Sequence, residues 1–186
     1  VQEFNIGTPR FESRNQPTAD LSHPAMAVNL DACIQCTRCV RACREEQVND
    51  VIGFAFRGDQ AEIVFDLNDP MGESSCVACG ECVQACPTGA LMPANGVGLV
   101  EEEKKVDSVC PYCGVGCQLQ YNIKDNRILH IEGRDGPSNH ERLCVKGRYG
   151  FDYVNHPNRL TKPLIRREGV NKELHGDFDP ARPEEI

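Results

Sequence analysis

Eight of the twelve cysteines fall into two copies of one spacing. Cys33, Cys36, Cys39 and Cys43 read C-x2-C-x2-C-x3-C, and Cys76, Cys79, Cys82 and Cys86 repeat it 43 residues further on. Thiols crowded into one turn converge on a metal more readily than they staple distant segments, so the spacing argues against the disulfide framework that an even cysteine count invites. Composition points the same way. With 40% hydrophobic residues, no Trp and a mean hydropathy of −0.45, the chain has little apolar surface per residue, and small cores of this kind lean on bound metal.

A repeated four-thiolate run is the ligand pattern of a ferredoxin carrying two 4Fe–4S clusters. In such proteins three thiolates of a run wrap one cluster and the fourth completes the other. The expected sets are therefore Cys33, Cys36, Cys39 and Cys86 for the first cluster, and Cys76, Cys79, Cys82 and Cys43 for the second. This exchange would tie the two halves together through metal, with each fourth cysteine pointing away at the start of a short helix. Pro87 turns the chain after Cys86, whereas Arg44 follows Cys43. Arg38, Arg41 and Arg44 crowd the first run, either to offset cluster charge and raise its potential or as a solvated helix face. A zinc module is the competing metal reading, but zinc prefers paired C-x2-C knuckles with a longer spacer between them.

Around these runs the chain divides into stretches of different character. Residues 1–28 are rich in Pro, Asn, Ser and Thr without sustained period, and read as an extended arm or linker; His23 within them reads as a loop residue. Residues 29–100 form the two-cluster module. Inside it, Ile52–Phe56 and Ala61–Phe65 flank Arg57-Gly58-Asp59-Gln60 as a β-hairpin. Residues 96–105 (GVGLVEEEKK) read as a polar connector. A third signature spans Cys110, Cys113, Cys117 and, after 26 intervening residues, Cys144. Gly114 and Gly116 leave its backbone free of Cβ interference. Gln118–Ile123 and Arg127–Ile131 suggest a second hairpin about Lys124-Asp125-Asn126, bringing Cys144 back to close a third site. His130 and His140 read as structural, because that site already counts four thiols. A helix is expected over 145–154, an extended segment over 156–164, and a charged tail beyond.

Charge and hydropathy exclude some partners. A formal net charge of −8 offers no basic face for nucleic acid. No run of about 18 apolar residues suggests a membrane span. Val1 starts the chain with no charged-then-apolar leader after it, and Arg166-Arg167 lies too far along to be a twin-arginine signal. Unpaired thiols in this density imply a reducing compartment, hence the cytoplasm.

The C-x2-C-x3-C-x26-C run, followed by Val145-Lys146-Gly147-Arg148-Tyr149-Gly150, resembles the N-terminal iron–sulfur domain of molybdenum- or tungsten-pterin oxidoreductases. The tandem ferredoxin motifs upstream and the ending NHPNRLTKPLIRR narrow this to something similar to the catalytic (alpha) subunit of cytoplasmic NAD-linked formate dehydrogenases. The resemblance implies an α+β chain: a two-cluster ferredoxin-like module, then a small β-rich 4Fe–4S domain over residues 101–162, then at 163–186 the start of a catalytic domain. It implies a third cluster on Cys110, Cys113, Cys117 and Cys144, beside a bis-molybdopterin guanine dinucleotide bound mainly elsewhere. Lys146 falls where that family has a lysine bridging cluster and pterin. The implied partners are the rest of the catalytic subunit and a flavin/NAD-binding iron–sulfur subunit. The implied task is passing electrons from formate oxidation, reversibly, through three clusters, with no catalytic residues in this segment. A free-standing polyferredoxin, or the equivalent segment of another molybdopterin oxidoreductase or hydrogenase-type complex, is the alternative.

Overall fold

Short strands, each too small to bury a face alone, are paired among the described residues into three antiparallel sheets around two small cores. The structure is a computed structural model and describes residues 7–8, 10–12, 14–15, 17–94, 101–163, 165 and 168–169. In chain order its strands are β1 (Met26–Val28), β2 (Ile52–Ala55), β3 (Glu62–Phe65), β4 (Leu91–Pro93), β5 (Lys104–Val109), β6 (Gln118–Lys124) and β7 (Arg127–Gly133). The helices are α1 (Arg38–Arg41), continued by a π-helical turn over Ala42–Glu46, α2 (Glu81–Ala85) and α3 (Val145–Tyr149). The α+β character expected from the sequence is what the elements display.

β1 pairs with β4, aligning Met26 with Pro93 and Val28 with Leu91, so the segments before the first cysteine run and after the second are stitched together. Met26 is fully buried, and with Val28, Val40, Ile52, Ile63, Phe65, Met71 and Leu91 it forms the larger core, which also takes in Cys39, Cys43 and Cys82. The stretch read as an arm thus ends in core residues. Three residues, Met-Ala-Val, are too few to print an alternation in the sequence. Ahead of them, Asp20 bridges Val28 through both backbone bonds, at 2.8 and 3.0 Å. Its carboxylate accepts from Met71 N at 2.6 Å and Ser22 N at 2.9 Å. Burial would raise the Asp20 pKa, but the hydrogen bonds from Ser22 and Met71 outweigh it and hold the group below the usual carboxylate value.

The β2–β3 hairpin forms where expected, closed by a 3-10 turn over Gly58–Gln60. The second expected hairpin is β6–β7. Its two-residue turn has Asp125 and Asn126 at φ 48° and 57°, the left-handed pair that matches strand twist and that Asn and Asp tolerate. β5 joins this hairpin as an edge strand beside β6. Lys104 and Lys105, read as part of a connector, open it. Its sequence, Lys-Lys-Val-Asp-Ser-Val, is exposed almost throughout, so it carries no hydrophobic period to detect. Leu119, Ile131 and Leu143 make the smaller core beneath the sheet. The expected helix after Cys144 is shorter than 145–154: α3 ends at Tyr149, and a 3-10 turn over Asp152–Asn155 follows.

Docking of β1 should matter to the whole module. Met26→Ala is expected to cost about 2–5 kcal/mol, whereas Leu21→Ala, at an exposed side chain, should change stability by about 0.5 kcal/mol or less. Anaerobic denaturant unfolding of the loaded protein checks this; equal effects would contradict the core role of β1.

Candidate metal centres

The first cysteine run enters α1 and the second enters α2, and the two short helices pack against one another. Cys39 is the second residue of α1 and Cys82 the second of α2. One turn later come Cys43, in the π-helical turn, and Cys86, directly after α2. Cys43 therefore sits near the start of the π-helical turn that continues α1, whereas Cys86 sits just past the end of α2 and not at a helix start. A step of four residues advances about one turn along a helix axis, which carries the thiol away from its own run.

That displacement decides which thiols meet. One small cavity is lined by Cys33, Cys36, Cys39 and Cys86, with Leu30, Ile34 and Ile63 beside them. Another is lined by Cys43, Cys76, Cys79 and Cys82, with Asn49, Val51 and Gly80. The fourth cysteine of each run thus lines the cavity of the other run. All twelve cysteines are free thiols. Among the described residues no three or more His, Cys, Asp or Glu side chains converge tightly enough to hold one ion; these two quartets each surround a space instead.

The backbone between the cysteines is itself repeated. Gln35 and Thr37 in the first run, and Ala78 and Gly80 in the second, have φ of 56°, 58°, 55° and 76°. Non-glycine residues held in the left-handed region cost of order 1–3 kcal/mol each. Alternating hands aim successive N–H groups into a concavity that favours negative charge. The donors here reach sulfur: Gln35 N lies 3.4 Å from Cys33 Sγ, Ala78 N 3.4 Å from Cys76 Sγ, and Val51 N 3.3 Å from Cys43 Sγ. Burial pushes the Cys39 thiol up to about 11 and pushes the fully enclosed Cys82 thiol up as well. At Cys86 the bonds from Leu91, Thr88 and Ala90 overcome burial and lower it. The Tyr149 hydroxyl is buried without a partner and packs against the core that holds Cys43, Cys76 and Cys82. Donors aimed at sulfur, a thiol-lined space and an orphaned hydroxyl fit an anionic sulfur-ligated body.

The arginines of the first run turn outward. Arg41 pairs with Glu45 at 3.1 Å and Arg44 with Asp50 at 2.6 Å, all of them exposed. The hydrogen bond to Asp50 raises the Arg44 pKa, and solvent screening makes such pairs worth little. Arg38 is exposed too. The solvated-face reading of this trio is the one the geometry favours.

The third quartet is more open. Cys113 and Cys144 are exposed, and Cys110 and Cys117 half-buried. Burial, then the neighbouring Cys110, Cys113 and Cys144, raise the Cys117 thiol. Gly114 and Gly116 adopt φ of 77° and 83°, and Cys110 N bonds Cys117 O at 2.8 Å. Lys146 is exposed on α3, beside Tyr112, Tyr121 and Tyr153 around a small pocket. His130 lies 3.8 Å from Glu132, His140 lies 3.6 Å from Asp135, and buried His23 accepts from Ala25 N. None of the three histidines joins a quartet.

Sequence reasoning passed over the buried pair of Glu81 and Arg148. Glu81 hides between two cysteines, and Arg148, though part of the run that carries the resemblance, shows no sign there of a buried partner.

Comparison with known proteins bears on this geometry. Residues 32–90 match the family described as "4Fe-4S dicluster domain". Residues 103–156 match "Molybdopterin oxidoreductase Fe4S4 domain". The chain thus carries, in order, a stretch similar to a ferredoxin-like dicluster domain and one similar to an iron–sulfur domain of the molybdopterin oxidoreductase type. Two similar proteins carry the name "Putative formate dehydrogenase". One, from Staphylococcus haemolyticus (strain JCSC1435), is 31% identical over 218 residues, covering 95% of this chain and 22% of its own length. The other, from Staphylococcus aureus (strain USA300), is 31% identical over 208 residues, covering 90% and 21%. The chain spans about a fifth of the length of these curated relatives.

Because burial holds thiols such as Cys39 protonated near neutral pH, loading metal onto them must release protons and must weaken as pH falls. Anaerobic reconstitution in weak buffer with a pH indicator measures this. Proton release on loading, with poorer loading at lower pH, is expected; loading without proton release would contradict it.

Proposed function

We propose that this segment conducts electrons inside a formate dehydrogenase. In this reading Cys33, Cys36, Cys39 and Cys86 hold one 4Fe–4S cluster, Cys76, Cys79, Cys82 and Cys43 a second, and Cys110, Cys113, Cys117 and Cys144 a third. The observation that carries the reading is the pair of thiol-lined cavities to which each run lends its last cysteine. When bound, such clusters supply one-electron storage at potentials set by charge, hydrogen bonds and exposure.

The chain's own residues do the rest. Main-chain N–H groups at Gln35, Val51 and Ala78 stabilise charge on the sulfurs. The apolar residues around the two cavities keep water from them. Lys146, two residues beyond Cys144 and exposed, is the group proposed to hydrogen-bond a pterin and hold negative charge there. The pterin with its molybdenum or tungsten, and the residues that act on formate, lie outside this segment in the reading. So does the proposed flavin/NAD-binding partner. A reducing, cytoplasmic setting is proposed for twelve unpaired thiols. No helix among the described residues is long and apolar enough to cross a membrane.

Cys43→Ser tests the crossed ligation. It should alter the EPR signal of the centre on Cys76, Cys79 and Cys82 and leave that on Cys33, Cys36 and Cys39 intact; the opposite pattern overturns the exchange. Lys146→Ala in the full-length enzyme should slow formate-dependent reduction of the iron–sulfur centres while iron content stays at the wild-type value. Reduction at an unchanged rate would remove Lys146 from the path.

A further inference from the structure

Arg148 and Glu81 are the most deeply buried charged pair the structure shows among its described residues, 4% and 8% exposed. Their positions are specific. Arg148 stands four residues after Cys144 of the third quartet, and its N–H bonds the Cys144 carbonyl at 3.1 Å. Its side chain crosses to the dicluster domain. There Nε donates to the Cys79 carbonyl at 2.7 Å, one terminal nitrogen donates to Gln84 Oε1 at 2.7 Å, and the other to Glu81 Oε1. Glu81 returns the contact by accepting from Leu143 N, next to Cys144, at 3.0 Å. Unbroken covalent and hydrogen bonds therefore run from Cys144 through Arg148 to Cys79.

Two further observations locate this junction. A Cβ on Gly80 would run into Arg148 Cδ, and would meet Arg148 Nε at 2.7 Å and Tyr149 Oη at 2.6 Å. With φ +76°, glycine here meets both a backbone need and a close approach. The other polar links between the domains fall on the same side: Arg142 pairs with Glu46, beyond Cys43, and Gly133 N donates to Gln84 at 3.3 Å. None of them touches Cys33, Cys36, Cys39 or Cys86. A buried ion pair is an expensive way to hold two surfaces together, since apolar side chains of similar volume do so as well or better. A planar fork that reaches a cysteine carbonyl, a glutamine and a carboxylate at once does something apolar packing does not: it fixes orientation.

We infer that Arg148 is a positioning residue that docks the third cysteine quartet against the Cys43/Cys76/Cys79/Cys82 quartet, making the latter, not the Cys33/Cys36/Cys39/Cys86 quartet, its electron-exchange neighbour. The inference rests on the electron-conduit reading above. In the exchange one electron leaves the third site, oxidising it by one, and enters the second, reducing it by one. No bond forms or breaks. Exchange falls off with separation, so loosening the dock lowers the rate by lowering the docked population.

The test uses the full-length, cluster-loaded protein with Arg148→Met, which keeps bulk and loses the donors, and Arg148→Lys, which keeps the charge and one donor site. Iron and sulfide content and the EPR signals of each centre report assembly. Freeze-quench EPR after sub-stoichiometric dithionite reports exchange, and the splitting between reduced centres reports their proximity. With assembly intact, Arg148→Met should slow exchange by about tenfold or more, the factor attached to one charge-assisted hydrogen bond, and weaken the splitting; Arg148→Lys should fall between it and wild type. Wild-type exchange and splitting in the assembled Met variant would overturn the inference, as would a Lys variant no better than Met. If the Met variant fails to assemble, Arg148→Lys and Gly80→Ala, which displaces the guanidinium, must still exchange more slowly than wild type with iron intact; a wild-type rate in either overturns it. A wild-type protein lacking three distinct centres would instead overturn the conduit reading itself.

Discussion

Four sulfurs facing a common space, on a backbone bent to aim N–H groups at them, is the constraint from which the rest of this structure follows. Left-handed φ at Gln35, Thr37 and Ala78 is unfavourable for residues with a Cβ. It persists where the surroundings over-determine it. Here they consist of thiols in the C-x2-C spacing and the donors beside them. The same geometry recurs 43 residues later with Gly80 in place of Thr37. The substitution is not neutral, because only glycine leaves room for the Arg148 side chain. The two runs differ at several positions, and Gly80, with Glu81 and Gln84, is where the neighbouring domain lands.

Packing then follows from the thiols. α1 and α2 are too short to persist alone, and each is bounded by cysteines of its run. The exchange of Cys43 and Cys86 between cavities makes the two halves depend on one another. β1 with β4 closes the module from outside, and Asp20 ties that closure to Met71. The third quartet rests on a sheet with a small core of Leu119, Ile131 and Leu143. Little apolar surface is buried there, so the polar junction at Arg148 and Glu81 contributes much of what orients one domain on the other.

Legibility in the sequence tracked how periodic each feature is. The cysteine spacings suggested how the thiols group, and the eight of the dicluster module line two cavities in that grouping, while the third grouping is a proposal. Hairpins with alternating strands and a turn such as Asp125-Asn126 were readable for the same reason. Met26–Val28 was not, because three residues cannot print a period and the partner at Leu91 lies far along the chain. Lys104–Val109 was not, because an exposed edge strand needs no apolar face. Cys86 follows its helix and does not start one, since spacing fixes the interval between thiols and not where a helix begins. Arg148 and Glu81 were silent because a buried charge pair is defined by a contact across 67 residues, which local pattern cannot express. The substrate proposed above is written in no single residue here; it rests on the family resemblance and on similarity to longer proteins named putative formate dehydrogenases.

The central claim is that the twelve thiols grip iron–sulfur bodies and not single ions or one another. Anaerobic purification followed by metal and acid-labile sulfide analysis per chain tests it most directly. The account predicts about four iron and four sulfide for each quartet, about twelve of each in all. A natively folded chain carrying zinc without sulfide, or no metal at all, would contradict it.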